Sequence, residues 1–182
     1  LRQRGVGRYV NAQLRPVADP VLPPEVVAQL QAMTINRTPM ADLARRSFEQ
    51  LRSIRTSDLP ADEKQQQLKA AQQGISNLAR EAAEQQLLYA LYSPNQLQEQ
   101  LTWFWMNHFS VFQYKGFLRP MMGDYYARVI KPHALGRFRD LFRATVFSPQ
   151  MLIYLDNANN ARGHINENYA REIRELHTLD VG

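Results

Sequence analysis

The feature that most constrains the fold is a proline-free stretch, residues 61–92, in which apolar residues recur at steps of three and four. That spacing is typical of one face of an α-helix, which at about 1.5 Å per residue would be roughly 45 Å long. The repeat does not sustain the heptads of a coiled coil. We therefore predict one long scaffold helix, with Gly74 as the position where it can bend. The apolar positions are Leu68, Ala71, Ile75, Leu78, Ala82, and Leu88 or Leu91.

Prolines divide the chain before and after this stretch into shorter helices. We predict helices over residues 1–14 and 24–33 and another that starts at Pro39, with a proline-rich connector at residues 15–24. Ser93, followed by Pro94 and Gln96, predicts the start of a further helix. Its inward residues are expected to be Leu97, Leu101, Phe104, Trp105 and His108.

The last third of the chain continues the same pattern. A helix is predicted from Pro120, with an interruption at Pro132 and a new helix from about residue 135 to 147. Ser148 can cap the next short segment, and Asn166 can cap a final helix over residues 167–178. There is neither the alternation typical of strands nor an internal repeat. We therefore predict one all-α domain over residues 1–182, with a multi-helix orthogonal or bundle-like arrangement.

Composition and missing motifs exclude several classes of function. With 182 residues, 45% hydrophobic and 21% charged, the chain can bury a core. The absence of cysteine excludes a disulfide scaffold, a thiolate zinc site and a cysteine nucleophile. No Walker loop, dinucleotide glycine pattern, Gly-x-Ser-x-Gly elbow, His-Glu-x-x-His or haem motif is present. No apolar run approaches the length of a membrane helix.

The net charge of +5 comes from 22 basic and 17 acidic residues, and 18 of the basic residues are arginine. Such a balance allows a nucleic-acid partner, but the basic residues are spread along the chain, which is typical of a solvated surface. We expect a protein or small-molecule partner, with nucleic acid as the less favoured alternative. The chain starts with leucine and ends directly after a patterned helix. We therefore expect a piece cut at both ends.

Polar residues at the ends of predicted helices are the candidates for chemistry. A carboxylate–histidine pair drawn from His108, Asp156 and Glu172 could act as a general base or hold a divalent cation through oxygen ligands. The candidate ligand-binding residues are Asn107, Asn157, Asn166, Asn168, Arg171 and His177. Each set also has a structural interpretation: a core histidine, a helix-terminating turn at 156–157, and a solvated helix face at 167–175.

Unpaired polar groups beside apolar helices are costly. We therefore predict that Asp156 or Asn157 hydrogen-bonds to another motif, either His108 or the start of the Asn166 helix. The apolar stripe of Tyr169, Ile173 and Leu176 is expected to be buried, with an apolar surface left exposed elsewhere.

Four ordered motifs resemble a known family. They are Trp-x-Asn-His-Phe at 105–109, Ala-Leu-Gly-x-Phe-Arg-Asp-Leu at 134–141, Tyr-Leu-Asp-Asn at 154–157, and Asn-Glu-Asn-Tyr-Ala-Arg-Glu with Glu-Leu-His-Thr-Leu at 166–179. Together they resemble the bacterial domain of unknown function 1800 family, over about residues 101–181. A weaker match covers residues 5–16.

The resemblance implies a bacterial, exported, mostly helical protein, of which this chain is the N-terminal part. It implies no particular reaction. Two positions differ from the family pattern: Met106 stands where a histidine is usual, and Asp180 where a glycine is usual. Without a histidine at 106, a second imidazole ligand is missing from any metal site there. We therefore favour a periplasmic or otherwise exported binding or assembly module, with an enzyme of unknown reaction as the alternative.

Overall fold

The computed structural model describes residues 5–163 and 166–177, without the side chains of Leu176 and His177. Its first part contains helices α1 (Val6–Gln13), α2 (Pro24–Ala32), α3 (Thr34–Arg37), α4 (Met40–Thr56), α5 (Ala61–Tyr92) and α6 (Gln96–His108). The second part contains α7 (Met122–Asp124), α8 (Phe138–Val146), α9 (Pro149–Tyr154) and α10 (Asn168–His177). Within the described ranges no β-strand occurs, so the all-α prediction is confirmed.

Helix α5 is the scaffold of the fold and has the predicted bounds. It runs through Gly74 as one continuous helix. Two small core clusters lie along it. Near its start, Ala71 and Ile75 pack with Leu51 and Ile54 of α4. Near its end, Leu88 packs with three buried residues from the α2 region, Val26, Leu30 and Met33.

A segment of mixed helical geometry, residues 119–133, connects the two parts of the fold. It passes from a 3₁₀ turn at Arg119–Met121 through α7 into a π-helical stretch at Tyr125–Ile130, and ends in a 3₁₀ turn at Lys131–His133. Pro132 lies in this last turn, so the predicted interruption is confirmed. The consecutive side chains of Tyr125 and Tyr126 are both buried here.

The main core lies between this segment and the last three helices. Its fully buried side chains include Phe109, Tyr125, Ile130, Leu141 and Met151. Helix α10 packs onto this core as predicted. Ile173 is buried, Tyr169 is half-buried and its hydroxyl donates to the carbonyl of Val146, while Leu176 lies outside the described side chains.

The predicted inward face of α6 is confirmed at Trp105, which is half-buried and packs against the main core, but it is wrong at Phe104 and His108. The buried residues of this helix are Glu99 and Thr102, whereas Phe104 is 53% exposed and His108 is also exposed. The helix turns its Glu99 face inward because this carboxylate has a lysine and a tyrosine partner in the mixed segment. The start of α6 is also two residues later than predicted, since Asn95 and not Ser93 precedes its first turn.

The proline-rich connector at 15–24 leaves α1 and passes across the end of α5. Asn95 fixes it by a pair of bonds to the backbone of Val17: the amide Nδ2 donates to the carbonyl at 2.8 Å, and the backbone N–H donates to Oδ1 at 3.1 Å. Gln13, the one buried residue of α1, donates to the Pro94 carbonyl at 2.8 Å. Among the described helices, none is long and apolar enough to cross a membrane.

Candidate functional site

The four sequence motifs meet at the main core, which we call the motif core. Each motif contributes one buried residue to it: Phe109, Leu141, Leu155 and Ile173. Tyr125 ties the first motif to the mixed segment, because its hydroxyl donates to the Phe109 carbonyl at 2.8 Å. The motifs are therefore brought together in space by shared apolar packing.

The three predicted catalytic residues border this motif core. His108, Asp156 and Glu172 are each the immediate sequence neighbour of a residue buried in it. His108 was expected to face the core, and that expectation is wrong because the imidazole lies at the exposed end of α6. Its ring centroid lies 4.7 Å from that of Phe109 and 6.4 Å from that of Phe138.

Asp156 follows α9 in a left-handed backbone conformation, with φ of 62°. Its Oδ2 accepts a hydrogen bond from Lys115 Nζ at 2.7 Å, and the same ammonium donates to the carbonyl of Tyr154. A bond from Asp156 or Asn157 to another motif was predicted, with His108 or the Asn166 helix as partner, and for Asp156 that prediction is wrong because Lys115 lies in none of the four motifs. The actual partner, Lys115, comes from the loop after α6.

The asparagines of the loop form a chain of hydrogen bonds that leads into α10. Asn160 Nδ2 donates to Asn157 Oδ1 at 2.6 Å and to the Asn166 carbonyl at 3.2 Å, while Asn160 Oδ1 accepts from the Asn166 N–H at 2.8 Å. Asn166 Oδ1 in turn accepts from the N–H of Asn168 at 3.0 Å. Asn166 bonds to the first N–H of α10 as predicted, but the helix begins at Asn168, one residue later than predicted, so Glu167 directly precedes it.

The remaining predicted residues make local contacts. Arg171 donates to Asn168 Oδ1 at 2.8 Å and lies 3.7 Å from Glu172 Oε1. Asn107 donates to the Trp103 carbonyl one turn earlier in α6, at 2.8 Å. The side chain of His177 lies outside the described part. Over residues 5–163 and the described side chains of α10, no three His, Asp or Glu groups are placed to hold one metal ion.

A second polar cluster, which the sequence analysis missed, lies at the other side of the mixed segment. Lys131 Nζ lies 2.8 Å from Glu99 Oε1, and Tyr126 donates to Glu99 Oε2 at 2.7 Å. The ammonium also lies 3.5 Å from the centroid of the Tyr89 ring, a cation–π geometry. The Glu99 side chain is only 2% exposed and that of Lys131 17%.

Burial changes the acid–base properties of this cluster. It lowers the pKa of Lys131 from its ordinary value, while the hydrogen bond and charge of Glu99 act in the opposite direction. It raises the pKa of Tyr126 far above the ordinary tyrosine range, and the Glu99 carboxylate adds to the effect. The pKa of Tyr89 is raised by burial and then by Glu99. The phenols therefore remain protonated over the physiological range.

The cluster opens onto a groove between the connector and α5, which we call the connector groove. It consists of two cavities of about 500 and 450 Å³ that share Ala18, Pro20, Asn36, Gln85 and Tyr89. Lys131 and Tyr126 line the larger cavity. On the other side of the cluster, a cleft of about 430 Å³ is lined by Glu99 and Tyr126 together with the exposed apolar side chains of Leu87 and Trp103.

The sequence did carry one signal for this cluster. Asn95, Glu99 and Thr102 recur at helical spacing on the stripe that leads to Phe109, and a large aromatic residue on an otherwise polar stripe is compatible with burial of that stripe. The apolar residues Leu101 and Phe104 outweighed that signal. Lys131 had no comparable signal, because its partner Glu99 lies on another element.

A family model described as a protein of unknown function (DUF1800) matches residues 1–182, the whole chain. No curated protein matches the chain. No solved structure matches it either.

Proposed function

The chain belongs to the DUF1800 family, and we propose that it is an exported binding module that takes a small polar ligand into the connector groove. Export is proposed from the resemblance of the four motifs to a family whose members often carry an export signal. The binding role is proposed from the groove. A cavity of about 500 Å³ lies within the range usual for small-molecule sites.

The observation that carries the proposal is the buried Glu99–Lys131 pair at the wall of the groove. Removing two charges from water is costly, so a buried ion pair is weak support for a role in stability alone. Ionisable groups with shifted pKa values that line a cleft are instead typical of functional sites. Lys131 meets both criteria, since burial lowers its pKa and it lines the larger cavity.

The groove also has walls that can hold a ligand in a defined place. One wall is the long helix α5, through Gln85 and Tyr89. The opposite wall is the connector, whose position is fixed by the two bonds between Asn95 and Val17. A binding site supported by rigid elements loses less entropy when a ligand binds.

A variant in which a large side chain fills the connector groove tests the proposal. Ala18 is exposed and lines both cavities, so Ala18→Trp fills the groove without changing a core residue. Ala28→Trp, at an exposed position of α2 outside the groove lining, is the matched control. Wild-type chain and both variants would be screened against one library of small metabolites by ligand-observed NMR.

We expect ligands that bind the wild type and Ala28→Trp but are lost with Ala18→Trp. If every ligand found binds Ala18→Trp equally well, the connector groove is not the binding site and the proposal fails. If the wild type binds no member of the library, the proposal fails as well.

A second candidate function is a reaction at the border of the motif core. The observation in its favour is the left-handed backbone of Asp156, because strained residues held by their surroundings cluster at active sites. In this alternative Asp156 would act as the general base or as an oxygen ligand for a divalent cation. Activity profiling with metal supplementation, repeated with Asp156→Asn, tests it: a hydrolytic activity that survives Asp156→Asn unchanged would exclude this role.

A further inference from the structure

The charge of the connector groove restricts the ligand. The cation in the larger cavity, Lys131, is already paired with Glu99 at 2.8 Å, and its remaining donors face the hydroxyl of Tyr126 at 3.5 Å and the ring of Tyr89. A ligand anion would have to compete with a carboxylate that is almost fully buried. The smaller cavity adds one charge of each sign, Asp19 and Arg37. The chemistry of the groove therefore favours an uncharged ligand.

The hydrogen-bonding groups of the groove are mostly side-chain amides, each of which is both donor and acceptor. Asn36, Gln85, Asn95 and Gln98 line the larger cavity. Gln85 Nε2 donates to Asn36 Oδ1 at 2.7 Å, but Gln85 Oε1 has no hydrogen-bond partner although the residue is only 5% exposed. A buried acceptor without a partner is unusual and calls for a donor. The atom has almost no accessible surface in this conformation, so a ligand hydroxyl would supply one when the Gln85 side chain turns toward the cavity that it lines.

The groove also offers flat apolar surfaces. Tyr89 lines both cavities, and proline rings line the connector side at Pro16 and Pro20. A tyrosine ring combines an apolar face with a polar tip. A molecule with apolar C–H faces and hydroxyl groups at its edges matches this mixture of rings and amides.

An extended peptide fits the groove less well. Asn95 is the side chain that recognises extended backbone here, and both ends of its amide are used by Val17 of the chain's own connector. A second peptide would find that amide already satisfied. Hydroxyl groups, by contrast, can use the unfilled acceptor of Gln85.

From this combination we infer that the ligand of the connector groove is a neutral, hydroxyl-rich molecule of the oligosaccharide class, an inference that rests on the proposed function. Its hydroxyl groups bond to the amides of Gln98 and Gln85, the latter through Oε1, because Asn95 is already used by Val17. Its ring faces lie against Tyr89.

The test is an NMR titration of the ¹⁵N-labelled 182-residue chain. The neutral probes are chitotetraose, cellotetraose and maltotetraose, the charged probe is tetragalacturonate, and the peptide probe is an uncharged proline-rich decapeptide. We expect at least one neutral tetrasaccharide to give saturable shifts centred on Gln85 and Tyr89. We expect Gln85→Leu to weaken that binding by about tenfold or more, the effect of losing a hydrogen bond to a buried group. Gln66→Leu, an exposed glutamine of the same helix, should leave it unchanged.

The outcomes separate this inference from the proposed function. If tetragalacturonate or the peptide saturates the groove and no neutral sugar does, the ligand class is wrong while the groove remains a binding site. If a neutral sugar binds but shifts residues outside the groove, the inference fails. If Gln85→Leu does not fold, Gln98→Leu takes its place, and undiminished binding by that variant counts against the inference.

Discussion

Replacing Asp156 by alanine should destabilise the domain through two independent effects. Asp156 has φ of 62°, a conformation that costs ordinary L-residues roughly 1–2 kcal/mol and that aspartate and asparagine tolerate best after glycine. Its ion pair with Lys115 has side chains that are 43% and 37% exposed, so solvent screens it and we assign it about 0.2–1 kcal/mol. Together these give a loss of about 2 kcal/mol in the free energy of unfolding.

For a domain of this size, a loss of about 2 kcal/mol corresponds to a decrease in Tm of about 4–8 °C. The measurement is thermal unfolding followed by circular dichroism, supported by urea titration. Gln66→Ala, at an exposed position of α5, is the control and should change stability by less than about 0.5 kcal/mol.

Asp156→Asn distinguishes the two effects. Asparagine also tolerates the left-handed conformation but has no charge, so this variant should lose only the ion-pair contribution, about 1 kcal/mol at most. A double-mutant cycle of Asp156→Ala with Lys115→Ala should give the same coupling. The reasoning is refuted if Asp156→Ala melts like Gln66→Ala, or if the alanine and asparagine variants melt alike.

Three further predictions concern other parts of the fold. Gly74→Ala should raise stability by about 0.5–1 kcal/mol in urea titrations, because this helical glycine has open space around it; a lower urea midpoint would contradict this. Glu99→Met should cost about 3–5 kcal/mol by leaving Lys131 buried and unpaired, and the double variant with Lys131→Met should recover much of the loss; equal stability of the single and double variants would argue against the pairing. The pKa values of Tyr125 and Tyr126 are raised by burial, so their contribution to stability is complete below about pH 10 and is lost as the pH rises above it. Urea midpoints should therefore fall above about pH 10 together with a rise in tyrosinate absorbance, and Tyr125→Phe should flatten that fall.

Local signals predicted the helices well. The bounds of α5 follow from Pro60 before it and from Ser93 and Pro94 after it, which restrict the chain whatever surrounds it. The caps at Ser148 and Asn166 were also predictable, because each bonds to a backbone N–H only two or three residues away.

The candidate site depended on contacts between distant residues, which local patterns do not record. Helical spacing places Leu101 and Phe104 on the same side of α6 as His108, and this apolar face suggested that His108 points inward. The buried face is the one with Glu99, which is stabilised by Lys131 and Tyr126 from another element. The partner of Asp156 was missed for the same reason, since Lys115 belongs to a loop without a pattern of its own.

The π-helical stretch Tyr125–Ile130 sets an angular offset within the molecule. Tyr125 at its start is bonded to Phe109 in the motif core, and Lys131 directly after it is paired with Glu99 beside the connector groove. Each residue of an α-helix turns the chain by about 100°, and a π-turn has more residues per turn, so converting this stretch to regular α-helix would rotate one anchor away from its partner. If a single residue were deleted or inserted here, Tyr125 and Lys131 could not both reach their partners, Phe109 in the motif core and Glu99 beside the groove. We therefore expect the number of residues between Tyr125 and Lys131 to be constant among relatives of this chain.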